Sequence, residues 1–167
     1  VTALDKSAKR MERLSANLER TGFSAKSNIG DLLSWEPGKQ FDAVLLDAPC
    51  TATGTFRRHP DVLHRIGPRQ IAELAELQAA MLDRAASWVK PGGTLVYATC
   101  SLEPEEGEAQ ADGFLARHGD FTKAPIDPAL LPSGIDPADG YVRTLPGMLA
   151  EQGGLDGFFI ACLQRKG

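Results

Sequence analysis

Phe41-Asp42-Ala43-Val44-Leu45-Leu46-Asp47-Ala48-Pro49-Cys50 is the stretch on which the reading of this fold turns. The apolar run Val44-Leu45-Leu46, closed by Asp47 and Pro49, predicts a buried strand over Phe41–Leu46 with Cys50 just past its carboxyl end. A second run of the same form, Gly93-Thr94-Leu95-Val96-Tyr97-Ala98-Thr99-Cys100-Ser101, places Cys100 at the end of a strand over Thr94–Thr99. Between them a helix fits Pro68–Val89, with Ile71, Leu74, Leu77, Met81, Leu82, Ala85 and Val89 on one face. Strand, helix, strand in that order implies a parallel pair joined by a crossover. Open α/β sheets bind ligands beyond the carboxyl ends of their strands, so both thiols are expected at one cleft.

Working outward, Val1-Thr2-Ala3-Leu4-Asp5 reads as a buried strand. A helix follows over Lys6–Arg20, with Ala8, Met11, Leu14 and Leu18 as its apolar stripe and Gly22 as its left-handed terminator. A short strand through Ser24–Ile29 leads to Gly30-Asp31. Lys90-Pro91-Gly92-Gly93 predicts a turn into the Thr94 strand, and Glu105, Glu106 and Glu108 suit the start of a helix near Pro104. Tyr141–Leu145 and Asp156–Leu163 predict two further strands paired antiparallel at an edge, with Ala124–Gly140 a surface connection. The fold class expected is α/β, Rossmann-like: one domain over residues 1–167, a mostly parallel sheet with helices on both faces.

Bulk properties narrow the function. At 167 residues, 43% hydrophobic and 24% charged, the chain can bury one core. No apolar run approaches the ~20 residues of a membrane helix, so no membrane partner is expected. Three cysteines without framework spacing suit a reducing cytoplasm, and no CxxC or HxxxH pair suggests a metal. A net charge of −4 makes any nucleic-acid contact a local one. Such a locale exists: Arg57, Arg58 and His59, followed by Arg65 and Arg69, form a basic stretch after Cys50 that suits phosphate through the arginine fork.

Asp5, Asp31 and Asp47 each end or follow a predicted strand. An acid after the second strand of a nucleotide-binding unit accepts ribose hydroxyls, the role Asp5 fits, while Asp31 is placed for an adenine amino group. Aspartates also follow strands as turn formers and caps. The glycine-rich loop that normally follows the first strand of such a sheet is not found, and residues upstream of Val1 are expected to carry it. Without that strand the sheet has a gap, and its exposed edge can pair with a second copy.

Cysteine chemistry gives the site its meaning. Addition of a thiolate to C6 of a cytosine makes C5 enamine-like and able to attack a sulfonium methyl, which is nucleophilic covalent catalysis. The Asp47 carboxyl, three residues from Cys50, can bind the N3/N4 edge of the base. The attacking thiol needs activation, and the helix start near Pro104 is one source for Cys100. A buried cysteine is otherwise a small hydrophobe, the reading preferred for Cys162.

Asp47-Ala48-Pro49-Cys50-Thr51-Ala52-Thr53-Gly54-Thr55, then Arg57-Arg58-His59-Pro60-Asp61, then Tyr97-Ala98-Thr99-Cys100-Ser101 resemble the Sun (Fmu) family of bacterial RNA cytosine-C5 methyltransferases. The close, Arg143-Thr144-Leu145-Pro146 and Asp156-Gly157-Phe158-Phe159-Ile160-Ala161, is similar too, so the likeness runs over nearly the whole chain. It implies S-adenosylmethionine as methyl donor and RNA as partner, ribosomal RNA first and transfer RNA second. It implies Cys100 as the nucleophile and Cys50 as the second cysteine that helps release the product. Asp47 then lines both base and donor, Asp5 holds the donor's ribose, and Asp31 lies near its adenine. The family usually has Ser-Gly where this chain has Thr51-Ala52, and its glycine-rich donor loop is missing here.

Three other readings are open at this stage. Cys50 is the nucleophile if the resemblance of Pro49-Cys50 to DNA cytosine-C5 methyltransferases is the deeper one. The chain is a non-catalytic RNA-binding or assembly module if it keeps only the fold. A reversible Cys50–Cys100 disulfide is a third.

Overall fold

The computed structural model describes residues 1–167. The chain divides into two compact units, Val1–Gly38 and Lys39–Gly167.

The first unit is a βαβ unit. Strand β1 (Thr2–Asp5) pairs in parallel with β2 (Lys26–Ile29), Asp5 lying opposite Ile29, and helix α1 (Ala8–Thr21) connects them. Ser7 caps α1 by accepting the Arg10 N–H at 3.3 Å. Gly22 ends it at φ 71, with Phe23 N–H bonding back to the Leu18 carbonyl at 2.9 Å, so the predicted terminator is where the sequence puts it. β1 is half-buried along its length instead of fully buried, and on α1 only Met11 is buried while Ala8 is exposed.

The second unit is built on a five-stranded mixed sheet. Its order is β3 (Phe41–Asp47), β4 (Val89–Thr99), β7 (Phe158–Arg165) and β5 (Phe121–Lys123), with β6 (Tyr141–Thr144) also on β7. β3 and β4 are parallel; β7 runs antiparallel to β4, β5 and β6. The predicted antiparallel closing pair is therefore present as β6–β7, and β5 is a strand the polar tripeptide Phe121-Thr122-Lys123 does not announce. Between β3 and β4 lie α2 (Val62–Arg65) and α3 (Pro68–Ala86), and α4 (Glu108–Arg117) follows β4.

The core sits between the inner face of the sheet and these helices. Leu95, Tyr97, Phe159, Ala161, Leu163, Leu82, Ala85 and Phe114 are all fully buried. Within this unit several boundaries and one burial differ from expectation. α3 stops at Ala86, because Ser87 and Trp88 N–H groups close a tight last turn on Arg84 and Ala85 carbonyls and Val89 already pairs with Phe41. Lys90–Gly93 is consequently inside β4 as an irregular excursion of its ladder, with Gly92 at φ 75 making the turn. The Pro104 helix is only a 3₁₀ turn over Pro104–Glu106, and α4 begins at Glu108. β3 has a partner only on its β4 side; on its uncovered face Leu45 is 70% exposed, and Leu46 alone of the apolar run is buried.

Candidate active site

Parallel pairing of β3 and β4, with Asp47 opposite Ala98, brings the two strand ends level. The Ala48 N–H extends the ladder by one bond to the Ala98 carbonyl at 3.0 Å. From there the chain needs only Pro49 to reach Cys50, while Cys100 directly follows β4. The two sulfurs lie 3.4 Å apart, both half-buried.

Beyond the cysteines, three backbones meet without side chains between them. The Gly54 N–H donates to the Cys100 carbonyl at 3.0 Å, and the Gly157 N–H to the Gly54 carbonyl at 2.7 Å. A Cβ on Gly54 would stand 2.0 Å from the Gly157 oxygen and 2.9 Å from that of Cys100, so only glycine allows this approach. Ala52 just before it adopts φ 58, a left-handed conformation that favours glycine. The Thr51-Ala52 departure from the family's Ser-Gly thus keeps the hydroxyl and places a methyl group where the backbone is strained.

Below the thiols lies a buried polar cluster that the sequence reading did not find. Glu106 is fully buried, and its carboxylate accepts the Thr51 N–H at 3.0 and 3.2 Å, a short bond from the Thr51 hydroxyl, and the Gln78 amide at 2.9 Å. Gln78, also fully buried, donates to the Pro49 carbonyl at 2.8 Å. The Ser101 hydroxyl bridges Thr51 and Thr53 at 3.2 Å each, and Tyr97 donates to the Glu106 carbonyl at 2.8 Å. Arg143 reaches the Ser101 carbonyl at 2.6 Å while paired with Glu108. Glu106 was read as one of three helix-start acids. The signal that could have found the cluster is Gln78, a polar residue within the apolar stripe of α3.

Electrostatics make the thiols unequal. The hydrogen bond with Cys50 holds the Cys100 thiol below its ordinary value despite partial burial and the charges of Asp47 and Asp156. The bond to Cys100, burial and the Glu106 charge push Cys50 well up. Arg58 shares its field with Cys100, which puts a cation on that side of the pair. The directions of the two shifts favour Cys100 over Cys50 as the sulfur that ionises first. The helix expected near Pro104 is only a 3₁₀ turn, so the lowering of Cys100 comes from its contact with Cys50.

Other predicted residues fall as follows. Asp47 is exposed at the end of β3, and its charge acts on Cys100. Asp5 accepts the Ser7 N–H and the Arg10 fork, each bond at 2.7 Å. Asp31 accepts the Leu33 N–H at 2.9 Å. Arg57, Arg58 and His59 are exposed, but Arg58 is held in a bidentate pair by Asp156. Arg65 and Arg69 pair with Asp61 and Glu73. Cys162 is half-buried between buried Ala161 and Leu163, and burial raises its thiol, consistent with a packing role. No group of three or more metal-ligating side chains occurs, and no helix is long and apolar enough to cross a membrane.

The fold is that of Rossmann-like methyltransferases. The solved structure of NSun6 from Pyrococcus horikoshii with SFG superposes on 98% of the chain at a TM-score of 0.83 and 29% identity, the chain covering 41% of it. Residues 1–164 match the family described as 16S rRNA methyltransferase RsmB/F, and the chain belongs to that family. It is 46% identical over 164 residues to ribosomal RNA small subunit methyltransferase B of Shewanella oneidensis, covering 96% of this chain and 36% of that protein. With the Salmonella arizonae protein of the same name it shares 47% over 169 residues, covering 99% and 37%. The chain thus spans about a third of the length of the curated relatives it matches.

Proposed function

We propose that this chain carries the catalytic chemistry of an S-adenosylmethionine-dependent RNA cytosine-C5 methyltransferase, with ribosomal RNA as substrate. The observation that carries the reading is the 3.4 Å thiol pair, whose surroundings lower Cys100 and raise Cys50. Family membership and the relatives named for ribosomal RNA methylation support the substrate class.

In this reading the Cys100 thiolate adds to C6 of the target cytosine, forming an S–C6 bond and pushing electron density to C5. Asp47 binds the N3/N4 edge of the base, beside the ring that Cys100 attacks. S-adenosylmethionine, when bound, supplies the methyl group that C5 takes. Loss of the C5 proton to solvent water re-forms the C5–C6 double bond and expels the Cys100 thiolate. The Cys50 S–H that stabilises this thiolate before attack stabilises it again as a leaving group, which gives the second cysteine its part in release.

Acceptor capacity left at Asp5 and Asp31 supports S-adenosylmethionine as the methyl donor. Asp5 Oδ1 accepts two hydrogen bonds and Oδ2 one, leaving acceptor capacity for a ribose hydroxyl. Asp31 uses one oxygen in its own turn and would take the adenine amino group with the other. Arg57, Arg58 and His59 would contact the RNA backbone, Arg58 by exchanging Asp156 for phosphate.

Mapping 5-methylcytosine in ribosomal RNA from cells with and without the gene tests this reading. Loss of one specific modified cytosine, restored by the wild-type gene and not by Cys100→Ala, is the expected result. An unchanged map would refute it.

A further inference from the structure

The Glu106 cluster has no part in the chemistry above, yet it is the most completely buried polar group of this unit. Fully burying a carboxylate is costly unless its bonds are satisfied, and a core stabilised by shape alone would put an apolar residue there. Its bonds converge on the loop around Cys50, directly through Thr51 and by way of Gln78. Glu106 grips the N–H and hydroxyl of Thr51, the residue after Cys50. Gln78, itself bonded to Glu106, grips the carbonyl of Pro49, the residue before it. The hydroxyls continue toward the other thiol: Thr51 bonds Ser101, the residue after Cys100. Thr53 accepts the Leu102 N–H at 3.0 Å and Ser101 the Glu103 N–H at 3.1 Å, which ties the hydroxyl chain to the backbone after Cys100.

We propose that Glu106 is a positioning residue of the thiol pair: its buried carboxylate locks the peptide units on both sides of Cys50, through Thr51 and Gln78, and sets Cys50 as the hydrogen-bond donor to Cys100. The inference rests on the functional reading above, since it explains how that reading's two cysteines acquire different jobs. The charged and titratable groups facing the pair are Asp47 at the end of β3, Arg58 after the Thr53–Thr55 turn, Glu106 and Tyr97 beneath, and Asp156 before β7. Glu106 is the one whose charge acts on Cys50, the thiol that must keep its proton. Its side chain is fully buried beneath the thiols, so it acts through the loop it holds and through its charge on Cys50.

The test is site-resolved alkylation of the full-length protein by iodoacetamide across pH, read by mass spectrometry, with RNA and methyl donor omitted. In the wild type Cys100 reacts first at neutral pH. In Glu106→Gln, which keeps the size and loses the charge, Cys50 gains reactivity and the Cys100:Cys50 rate ratio falls by about tenfold, the change one unit of relative thiol shift gives. A purely structural glutamate would lower the melting temperature and leave that ratio alone. Should Glu106→Gln fail to fold, Thr51→Val decides, since it removes the hydroxyl bond and keeps the N–H: a ratio lowered by several-fold supports the proposal. An unchanged ratio in the folded variant overturns it. Because alkylation needs no turnover, failure here is separate from failure of the methyl-transfer reading, which the 5-methylcytosine map tests.

Discussion

Cys50 and Cys100 stand 3.4 Å apart, sulfur to sulfur, although fifty residues of chain separate them. The parallel register of β3 and β4 makes the contact, and the unequal surroundings of the two sulfurs raise the Cys50 thiol and lower that of Cys100.

The first consequence is a pH dependence. A thiol held below its ordinary value stays a thiolate to lower pH, so Cys100 alkylation should persist below the ~8.5 of a free cysteine and fall as pH drops through the lowered value. Cys50→Ala removes the donor, and the Cys100 profile then moves up toward the ordinary thiol range. At neutral pH its rate should drop by about tenfold for each unit of that shift. A profile unmoved by Cys50→Ala would show that the pair is not coupled.

Ala52 offers a stability test. Its left-handed backbone, φ 58, costs an L-residue about 1–2 kcal/mol, against about 0.5–1 kcal/mol of extra chain entropy lost by glycine. Ala52→Gly should therefore stabilise the protein by about 0.5–1 kcal/mol, read as a rise of a few degrees in thermal midpoint. A lowered midpoint would mean that the methyl group packs favourably after all.

At Gly54 the sign reverses. An added methyl group would lie 2.0 Å from the Gly157 carbonyl oxygen, and both obstacles are backbone. Gly54→Ala must push the Cys50 loop off the Cys100 carbonyl. We expect a loss of about 1–3 kcal/mol in a thermal or urea melt together with loss of methyl transfer. Wild-type stability and activity in this variant would contradict the close approach of the three backbones.

The two βαβ patterns, the Gly22 terminator and the β6–β7 pair were legible because each rests on local periodicity or a single backbone requirement. The cysteines were legible because strand ends locate a cleft in this fold class. The Glu106 cluster was not, since it joins residues 28 and 55 positions apart, Gln78 and Thr51, through a carboxylate that looks in sequence like one more helix-start acid. Exposure of Leu45 was hidden for a related reason: an apolar run marks a strand, and the number of its ladder partners is set by pairing the run does not encode. Ion pairing of Arg58 with Asp156, 98 residues away, also lies beyond any local pattern.

That pairing separates two neighbouring arginines. Arg57 is exposed and open to phosphate, whereas Arg58 must first leave Asp156. Arg57→Ala should weaken RNA binding uniformly across sequences and reduce the slope of log K against log salt by about 0.7–0.9, the release of one counterion. Asp156→Asn, by freeing Arg58, should strengthen binding at low salt. If neither variant changes the slope, this stretch does not contact the RNA backbone.

Covalent trapping reaches the centre of the account. Full-length protein incubated with 5-fluorocytosine-substituted RNA and S-adenosylmethionine should form a stable protein–RNA adduct, because fluorine at C5 blocks the proton loss that expels the enzyme sulfur. The adduct should map to Cys100, vanish in Cys100→Ala and survive in Cys50→Ala. An adduct that survives Cys100→Ala and is lost in Cys50→Ala would reverse the roles of the two thiols and contradict the account.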